Sequence, residues 1–212
     1  MGKISANTAM EEYKGRNNEF FTLKDDGDTE VVRFLYDNED DLDIYAVHEV
    51  EIGGKKRYVE CLRTADCPLC VAGNRAKARM FLQMFVPKIN KVCTWERGNK
   101  FIPIILGLFN KYGPLVNREF EIERHGKKGD TQTQYQLYAM DKDDKTLDDF
   151  PERQDLENGL ILVKTAEEMK AMLNGTYVEE NNNASHGSNQ QGGNRHTTTR
   201  RRREPVNGSD VF

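Results

Sequence analysis

One histidine and three cysteines constrain the fold of this chain more than any other feature. Three of its four cysteines lie between positions 61 and 70, and a histidine precedes them at position 48. Neutral imidazole and thiolates suit tetrahedral zinc, and a turn such as Cys67-Pro-Leu-Cys70 brings two sulfurs to one ion. Side chains that bind one ion must converge. We predict a closed, structural Zn²⁺ site formed by His48, Cys61, Cys67 and Cys70.

Two other interpretations of the cysteines are considered. A thioredoxin-like redox pair requires a βαβ setting, which the surrounding pattern does not indicate. Incidental thiols of a cytosolic protein are the second alternative. Cys93 is the alternative to His48 as the fourth ligand, although a buried thiol in a strand is the simpler interpretation of that residue.

The local pattern explains how two of the ligands meet. Residues 45–52 alternate between apolar and polar side chains, Gly53-Gly54 forms a turn, and residues 56–61 alternate again, which predicts a β-hairpin. His48 lies on one predicted strand and Cys61 ends the other. We therefore expect a zinc subdomain over about residues 45–79.

Short strands separated by turns predict a mainly β fold. An oligonucleotide-binding (OB) barrel of five strands is the version that fits a chain of 212 residues. A second hairpin is predicted around the polar turn at 125–130. The other predicted strands are 20–23, 30–36 and 92–96, and those of the second hairpin are 118–124 and 131–138. Residues 80–86 fit either a helix or a strand, and we prefer a strand because the segment is rich in aromatic residues and Pro87 closes it.

Two helices are predicted from their own signals. Apolar residues near 3.6-residue spacing predict an amphipathic helix over 101–112, ended by Gly113-Pro114. Thr165 and Glu168 have capping-box spacing, and Gly175 is a natural stop for the short helix that follows them.

Composition separates a core from two tails. The mean hydropathy is −0.78, and apolar residues nearly vanish after position 179. We expect a flexible arm over residues 1–19, a folded core over 20–178 and a disordered tail over 179–212. No apolar run approaches bilayer length and the N-terminus has no signal-like apolar stretch, so we expect a cytoplasmic protein without membrane association.

Charge is segregated along the chain. The formal net charge is −4, yet residues 51–100 contain 11 Lys and Arg against 4 Asp and Glu, whereas residues 1–50 contain 5 against 13. A polyanion responds to a local basic face, and proteins that hold single strands pair cations with phosphates and stack aromatic rings on bases. The predicted DNA-binding residues are Tyr45, Lys56, Arg57, Tyr58, Arg63, Arg75, Arg79, Phe85, Lys88 and Trp95, together with Lys127 and Lys128 in the second hairpin turn.

The order His48…Cys61…Cys67-x-x-Cys70 in a basic, aromatic-rich setting resembles the zinc-containing single-stranded DNA-binding proteins of T-even-type bacteriophages. Residues 94–98, 110–116 and 120–130 resemble the smaller relatives found in phages of Gram-positive bacteria. The resemblance spans roughly residues 20–175. It differs in two places, since this chain lacks a strongly basic N-terminal arm and its C-terminal tail is of mixed charge.

The resemblance implies an OB barrel whose zinc subdomain forms one wall of a cleft for single-stranded DNA. It also implies a role in phage DNA replication and recombination in the cytoplasm of a bacterial host cell. Asp210 and Phe212 resemble the docking tails of bacterial single-strand binders, so we expect the tail to contact phage or host replication proteins.

A non-catalytic role is the expectation, without a small-molecule substrate. The alternative is a zinc-ribbon-type regulator that binds duplex DNA, RNA or a polymerase, which would share the cysteines and the basic charge. An enzyme is a more distant interpretation, because the acidic runs fall in apparent loops without an accompanying histidine or lysine arrangement.

Overall fold

The computed structural model describes residues 20–130, 132–157 and 159–178. The predicted N-terminal arm, the predicted disordered tail and the docking residues Asp210 and Phe212 lie outside the described residues.

The described residues contain eight strands and three α-helices. The strands are β1 (Thr29–Phe34), β2 (Ile44–Ile52), β3 (Lys55–Glu60), β4 (Lys77–Val86), β5 (Lys91–Gly98), β6 (Arg118–His125), β7 (Gln134–Lys142) and β8 (Ile161–Leu162). The helices are α1 (Pro68–Val71), α2 (Ile102–Tyr112) and α3 (Ala166–Leu173), and a 3₁₀ turn at Asn99–Phe101 precedes α2.

The strands form one mixed, open sheet in the order β7-β6-β1-β4-β2-β3-β8, with β5 paired to the other side of β4. The β3–β8 pair is parallel and the other pairs of named strands are antiparallel. The mainly β class is confirmed. The predicted five-stranded barrel is not: among the described residues β7 and β8 end the sheet, and no closed barrel forms.

Strand β4 explains this difference. Residues 79–86 pair with β5 along one side, while the other side is divided between β2, at Met80, and β1, at Phe85. Pro87 and the aromatic residues of 80–86 favour a strand over a helix, but they do not specify how many partners the strand has. The two-residue β8 is too short to show any alternation.

Both predicted hairpins are confirmed. In the first, Gly53 and Gly54 turn the chain with φ angles of 57° and 73°, which is the left-handed backbone that a two-residue hairpin turn requires. In the second, β6 and β7 pair across the turn, with a register shift between Arg118 and Phe120.

The helix predictions are confirmed and one strand prediction is wrong. Helix α2 ends at Gly113, and the Thr165–Glu168 capping box begins α3. Residues 20–23 form no named strand. Phe20 forms an isolated bridge with Thr94, and the Phe21 amide donates to the Thr94 carbonyl at 2.9 Å while the Phe21 ring packs against Trp95.

The largest apolar core lies between α2 and the sheet. The Trp95 ring is fully buried there and packs in edge-on contacts on Phe21, Phe101 and Tyr135. A separate cluster surrounds the cysteines. It contains Val59 of β3, Leu69, Leu162 and Met169, so that the C-terminal elements β8 and α3 complete the packing.

Candidate metal centre and basic surface

The fold brings the four predicted metal ligands together. His48 lies on β2, and Cys61 directly follows β3, where its amide donates to the Ala46 carbonyl at 2.8 Å. Cys67 precedes α1 and Cys70 lies within it, so the predicted Cys-x-x-Cys turn is the first turn of a short helix. The hairpin and this helix therefore deliver two ligands each.

The ligand atoms have the spacing that one tetrahedral ion requires, and all of them lie within 4.8 Å of one another. His48 Nε2 is 3.5 Å from Cys67 Sγ and 3.7 Å from Cys70 Sγ, and the Cys61 and Cys70 sulfurs are 3.7 Å apart. Metal–sulfur bonds of about 2.3 Å and metal–nitrogen bonds of about 2.0 Å imply edges of about 3.8 Å between sulfurs and about 3.6 Å between sulfur and nitrogen. The three distances are close to these edges, and the cluster is consistent with a metal site.

A hydrogen bond from the opposite side of the imidazole determines which nitrogen faces the sulfurs. His48 Nδ1 lies 2.7 Å from the carbonyl oxygen of Asn74, which can only accept. The proton therefore belongs on Nδ1, and Nε2 directs its lone pair at Cys67 and Cys70. Burial lowers the pKa of His48, which also favours the neutral ring that a metal needs.

Backbone amides point at two of the sulfurs. Arg63 has a left-handed φ of 55°, uncommon for a residue other than glycine, and its amide donates to Cys61 Sγ at 3.4 Å. Burial alone would raise the pKa of Cys67, but hydrogen bonds from the amides of Cys70 and Leu62, together with the Cys70 and Cys61 thiols, lower it. These contacts stabilise thiolates, the form that binds metal.

Cys61 differs from Cys67. Burial raises the pKa of Cys61 to about 11, so this sulfur holds its proton in the absence of a cation. A metal that binds here must displace that proton, and its affinity must therefore weaken as the pH falls.

Cys93 lies elsewhere. It belongs to β5 and packs in the largest apolar core, whereas the four ligands surround a separate point beneath β8 and α3. The geometry favours His48 over Cys93 as the fourth ligand.

The structure places the predicted stacking aromatics mostly inside the protein. Trp95 is 0% exposed, Tyr45 7% and Tyr58 8%, while the half-buried Phe85 ring packs on Phe150 at 5.3 Å. A ring without an open face cannot stack on a base in this conformation. The expectation came from the interleaving of aromatic and basic residues in the sequence, but Trp95 is buried in one apolar cluster and Tyr45 and Tyr58 in another.

Several of the predicted cationic contacts are paired with carboxylates. Glu49 accepts a hydrogen bond from Arg79 and lies 3.1 Å from Lys56 and 3.5 Å from Lys77. Arg79, with a smaller contribution from Lys56, lowers the pKa of Glu49 to about 2. Part of the positive charge of residues 51–100 is thus neutralised within the sheet.

Of the other predicted cationic contacts, some are paired or half-buried and others are exposed. Lys88 pairs with Glu30 at 3.2 Å, and the Arg57 side chain is half-buried. Arg63 and Arg75 are exposed on the loop that carries the metal ligands, and Lys127 and Lys128 are exposed in the β6–β7 turn. Within the described residues, the cations of segment 51–100 that form no ion pair are Lys55, Arg63, Arg75, Arg97 and Lys100.

The site prediction missed two residues that the structure makes prominent. Asn74 supports the ligand His48, and no sequence signal marks it. Arg97 contacts Trp95 and Tyr135 and lines an open cleft. The sequence does contain a signal for Arg97. It follows Trp95 by two positions in a strand, so the two side chains must share one face of the sheet.

Comparison with protein-family models and with curated proteins finds no match to this sequence. No helix among the described residues is both long and apolar enough to cross a membrane. The structure thus supports a mainly β protein with a buried histidine and cysteine cluster that can bind a metal.

Proposed function

We propose that this chain binds single-stranded DNA without catalysis and without strong sequence preference, and that Zn²⁺ is a structural ion in it. The single observation that carries the proposal is the location of the unpaired cations at the same end of the sheet as the metal loop. Arg75 lies on the loop that leads into β4, and the start of β4 pairs with the end of β5, where Arg97 and Lys100 are found.

The donor set supports zinc over other ions. Three thiolates and one imidazole are soft and borderline ligands, which suit Zn²⁺ and exclude the hard oxygen-loving cations. Four protein ligands leave no position open for water or substrate. Such an ion holds residues 48–74 in place and supplies rigidity rather than chemistry.

Electrostatics gives the proposed binding its character. Cations that contact phosphates release counterions, so affinity must fall steeply with added salt. For single strands, the slope of log affinity against log salt concentration is about −0.7 per phosphate contact. Contacts of this kind carry no sequence information, which fits sequence-tolerant protection of single strands. The setting we propose for it, phage replication and recombination, comes from the sequence resemblance alone.

A second function is favoured by one observation. The burial of Trp95, Tyr45 and Tyr58 removes the stacking platform that single-strand binding ordinarily uses, whereas a zinc-ribbon-type regulator of duplex DNA or RNA does not need one. The two candidates differ in the ligand they prefer.

Competition distinguishes them. Zinc-loaded protein bound to a fluorescent oligothymidylate is challenged with unlabelled single-stranded DNA, duplex DNA and RNA at several salt concentrations. The proposal predicts that single-stranded DNA competes best and that affinity falls with salt. Better competition by duplex, or affinity independent of salt, would contradict it, and metal analysis of the purified protein tests the identity of the ion.

A further inference from the structure

A cleft lies beside Arg97 at the junction of β5, the 3₁₀ turn and the second hairpin. Its volume is 440 Å³, within the size range of small-molecule sites. No acidic residue lines it. The lining residues are Arg97, Gly98, Asn99, Lys100, Phe101, Ile104, Thr133, Gln134 and Tyr135. We refer to it as the Arg97 cleft.

Aromatic rings hold the Arg97 guanidinium in place. Its carbon lies 4.3 Å from the Trp95 ring centroid and 4.2 Å from the Tyr135 centroid, and the two rings are nearly perpendicular, at 83°. Rings attract a cation but do not neutralise it. The rings therefore position the guanidinium without forming an ion pair with it.

A second guanidinium lies behind the first. Arg124 is 8% exposed and donates to the Tyr135 hydroxyl at 2.9 Å and to Thr133 Oγ1 at 3.1 Å. Among the described residues neither Arg97 nor Arg124 forms an ion pair, and both Nε atoms lack a hydrogen-bond partner. Two buried or half-buried guanidinium groups that form no ion pair favour an anion in the adjoining cleft.

Glu96 acts on Arg97 only from a distance and forms no ion pair with it: its charge raises the pKa of Arg97, but burial has the larger effect and lowers that pKa. It is next to Arg97 on β5 and so faces the other side of the sheet, where it accepts from the Tyr58 hydroxyl at 2.6 Å and lies 3.6 Å from Arg79.

The rest of the lining suits a nucleotide better than a simple anion. Ile104 is on the exposed side of α2, with 42% of its surface accessible, and gives the cleft an apolar wall. Asn99 and Gln134 add amide groups that can both donate and accept hydrogen bonds. Lys100, which is exposed, adds a second cation.

We propose that the Arg97 cleft holds one nucleotide unit of the single strand, with its phosphate on the N–H groups of Arg97 and Lys100. Its sugar and base lie against Ile104, within reach of the Asn99 and Gln134 amides. This inference rests on the proposed function and assigns one subsite of it. The phosphate belongs to a phosphodiester chain, and a free nucleotide is the other source of the same chemistry.

Charge-matched variants test the subsite in the full chain. Lys100→Gln removes one cation from the cleft, and Lys111→Gln removes one from the opposite end of α2. Arg97→Lys keeps the charge but loses the paired N–H groups of a guanidinium. We expect Arg97→Lys to weaken oligothymidylate binding by about tenfold. Lys100→Gln should reduce the steepness of the slope of log affinity against log salt concentration by about 0.7. Lys111→Gln should leave both the affinity and this slope near the wild-type values.

This design distinguishes a variant that does not fold from a variant that folds but binds weakly. Thermal melting followed by circular dichroism shows whether Arg97→Lys remains folded, and Lys100→Gln alone decides if it does not. Wild-type protein that fails to bind oligothymidylate would overturn the proposed function and this subsite with it. Wild-type binding that both cleft variants retain as well as Lys111→Gln would overturn the subsite alone.

Trp95 distinguishes the two sources of phosphate. It is the only tryptophan of the chain and contacts Arg97, so a ligand on the guanidinium should change its fluorescence although no base reaches the ring. The expected result is a change with oligothymidylate that greatly exceeds the change with thymidine monophosphate or inorganic phosphate at equal concentration. An equal, Arg97-dependent response to the mononucleotide would assign the cleft to free nucleotides and overturn the single-strand subsite.

Discussion

Asn74 lies outside the candidate ligand set but contacts one of its members. Its carbonyl accepts from His48, and two further hydrogen bonds fix that carbonyl: the Asn74 amide donates to Leu69 at 3.0 Å and the side chain donates to the Glu49 carbonyl at 2.9 Å. The side chain therefore positions the backbone that positions the imidazole. Supporting contacts of this kind commonly change metal affinity by about 10- to 100-fold.

Asn74→Ala should weaken Zn²⁺ binding by about tenfold, because the carbonyl loses one of its two restraints while all four ligands remain. Competition with a chromophoric chelator at fixed pH measures the change. Asn110→Ala, an exposed position on α2, is the matched control and should bind as wild type does. Equal affinity of the Asn74 variant and this control would show that the side chain does not support the site.

At the scale of elements, a buried arginine joins β1 to the chain that follows β7. Arg33 is 4% exposed and donates to the Val116 carbonyl at 2.8 Å and to both carboxylate oxygens of Asp143, at 3.0 and 2.7 Å. Glu119 lies 3.4 Å from the same guanidinium. This bidentate pair ties together segments that no strand pairing connects directly.

The Arg33 contact gives stability a defined pH dependence. The guanidinium lowers the pKa of Asp143 below its ordinary value of 3.8. A carboxylate with a lowered native pKa stabilises the fold above its unfolded pKa, and this contribution is lost as the pH falls through the lower native value. Because 42% of the Asp143 side chain is exposed, solvent screening limits the contribution to about 1 kcal/mol.

Asp143→Asn should therefore lower the free energy of unfolding by about 1 kcal/mol at neutral pH and by progressively less below pH 3.8. Urea denaturation at a series of pH values measures the difference in free energy of unfolding between variant and wild type. Any loss of metal at acid pH affects both proteins and cancels in this difference. Asp144→Asn changes an exposed neighbour and should show no such trend. A constant difference at every pH would rule out the ionised pair as its cause.

At the scale of the whole molecule, the two apolar clusters differ in what holds them. The core around Trp95 is packed between α2 and the sheet, while the cluster around the cysteines combines Val59, Leu69, Leu162 and Met169 with the ligands. Only the second contains the metal ligands. Loss of the ion should therefore act on one region of the protein more than on the other.

Removal of the metal by a chelator should expose the amides of residues 59–74 and 161–172 to hydrogen exchange, because the ligands then lack the attraction that holds them together. The amides of β4 to β6 around Trp95 should remain protected. Hydrogen-exchange mass spectrometry with and without chelator measures both regions in one sample. Loss of protection in β4 to β6 at the same rate would mean that the protein unfolds as a single unit.

Local patterns in the sequence predict much of this molecule. Alternation with Gly53-Gly54 predicts the first hairpin, the 3.6-residue spacing predicts α2, and the Thr165–Glu168 spacing predicts α3. The same logic predicts the metal centre, since a hairpin and a Cys-x-x-Cys segment are local features whose ligands need only a short chain to meet.

Long-range pairing is what the sequence does not specify. Nothing local shows that β4 has three partner strands, or that residues 161–162 pair with β3 about 100 positions earlier. The sequence also does not predict which way each aromatic ring points. Alternation identifies the two faces of a strand without showing which one is buried. Trp95 and Arg97 share a face, and only the tertiary structure shows that this face adjoins a cleft.

The elements β8 and α3 pack beside the candidate metal ligands but are synthesised after them. Cys70, the last ligand, is translated about 100 residues before Met169 of α3, which at about 5–20 residues per second is a delay of roughly 5–20 s. During that interval the nascent hairpin and the Cys-x-x-Cys segment already contain all four ligands, without the helix that later packs against them. Metal present at that stage can bind the four ligands before α3 packs against them.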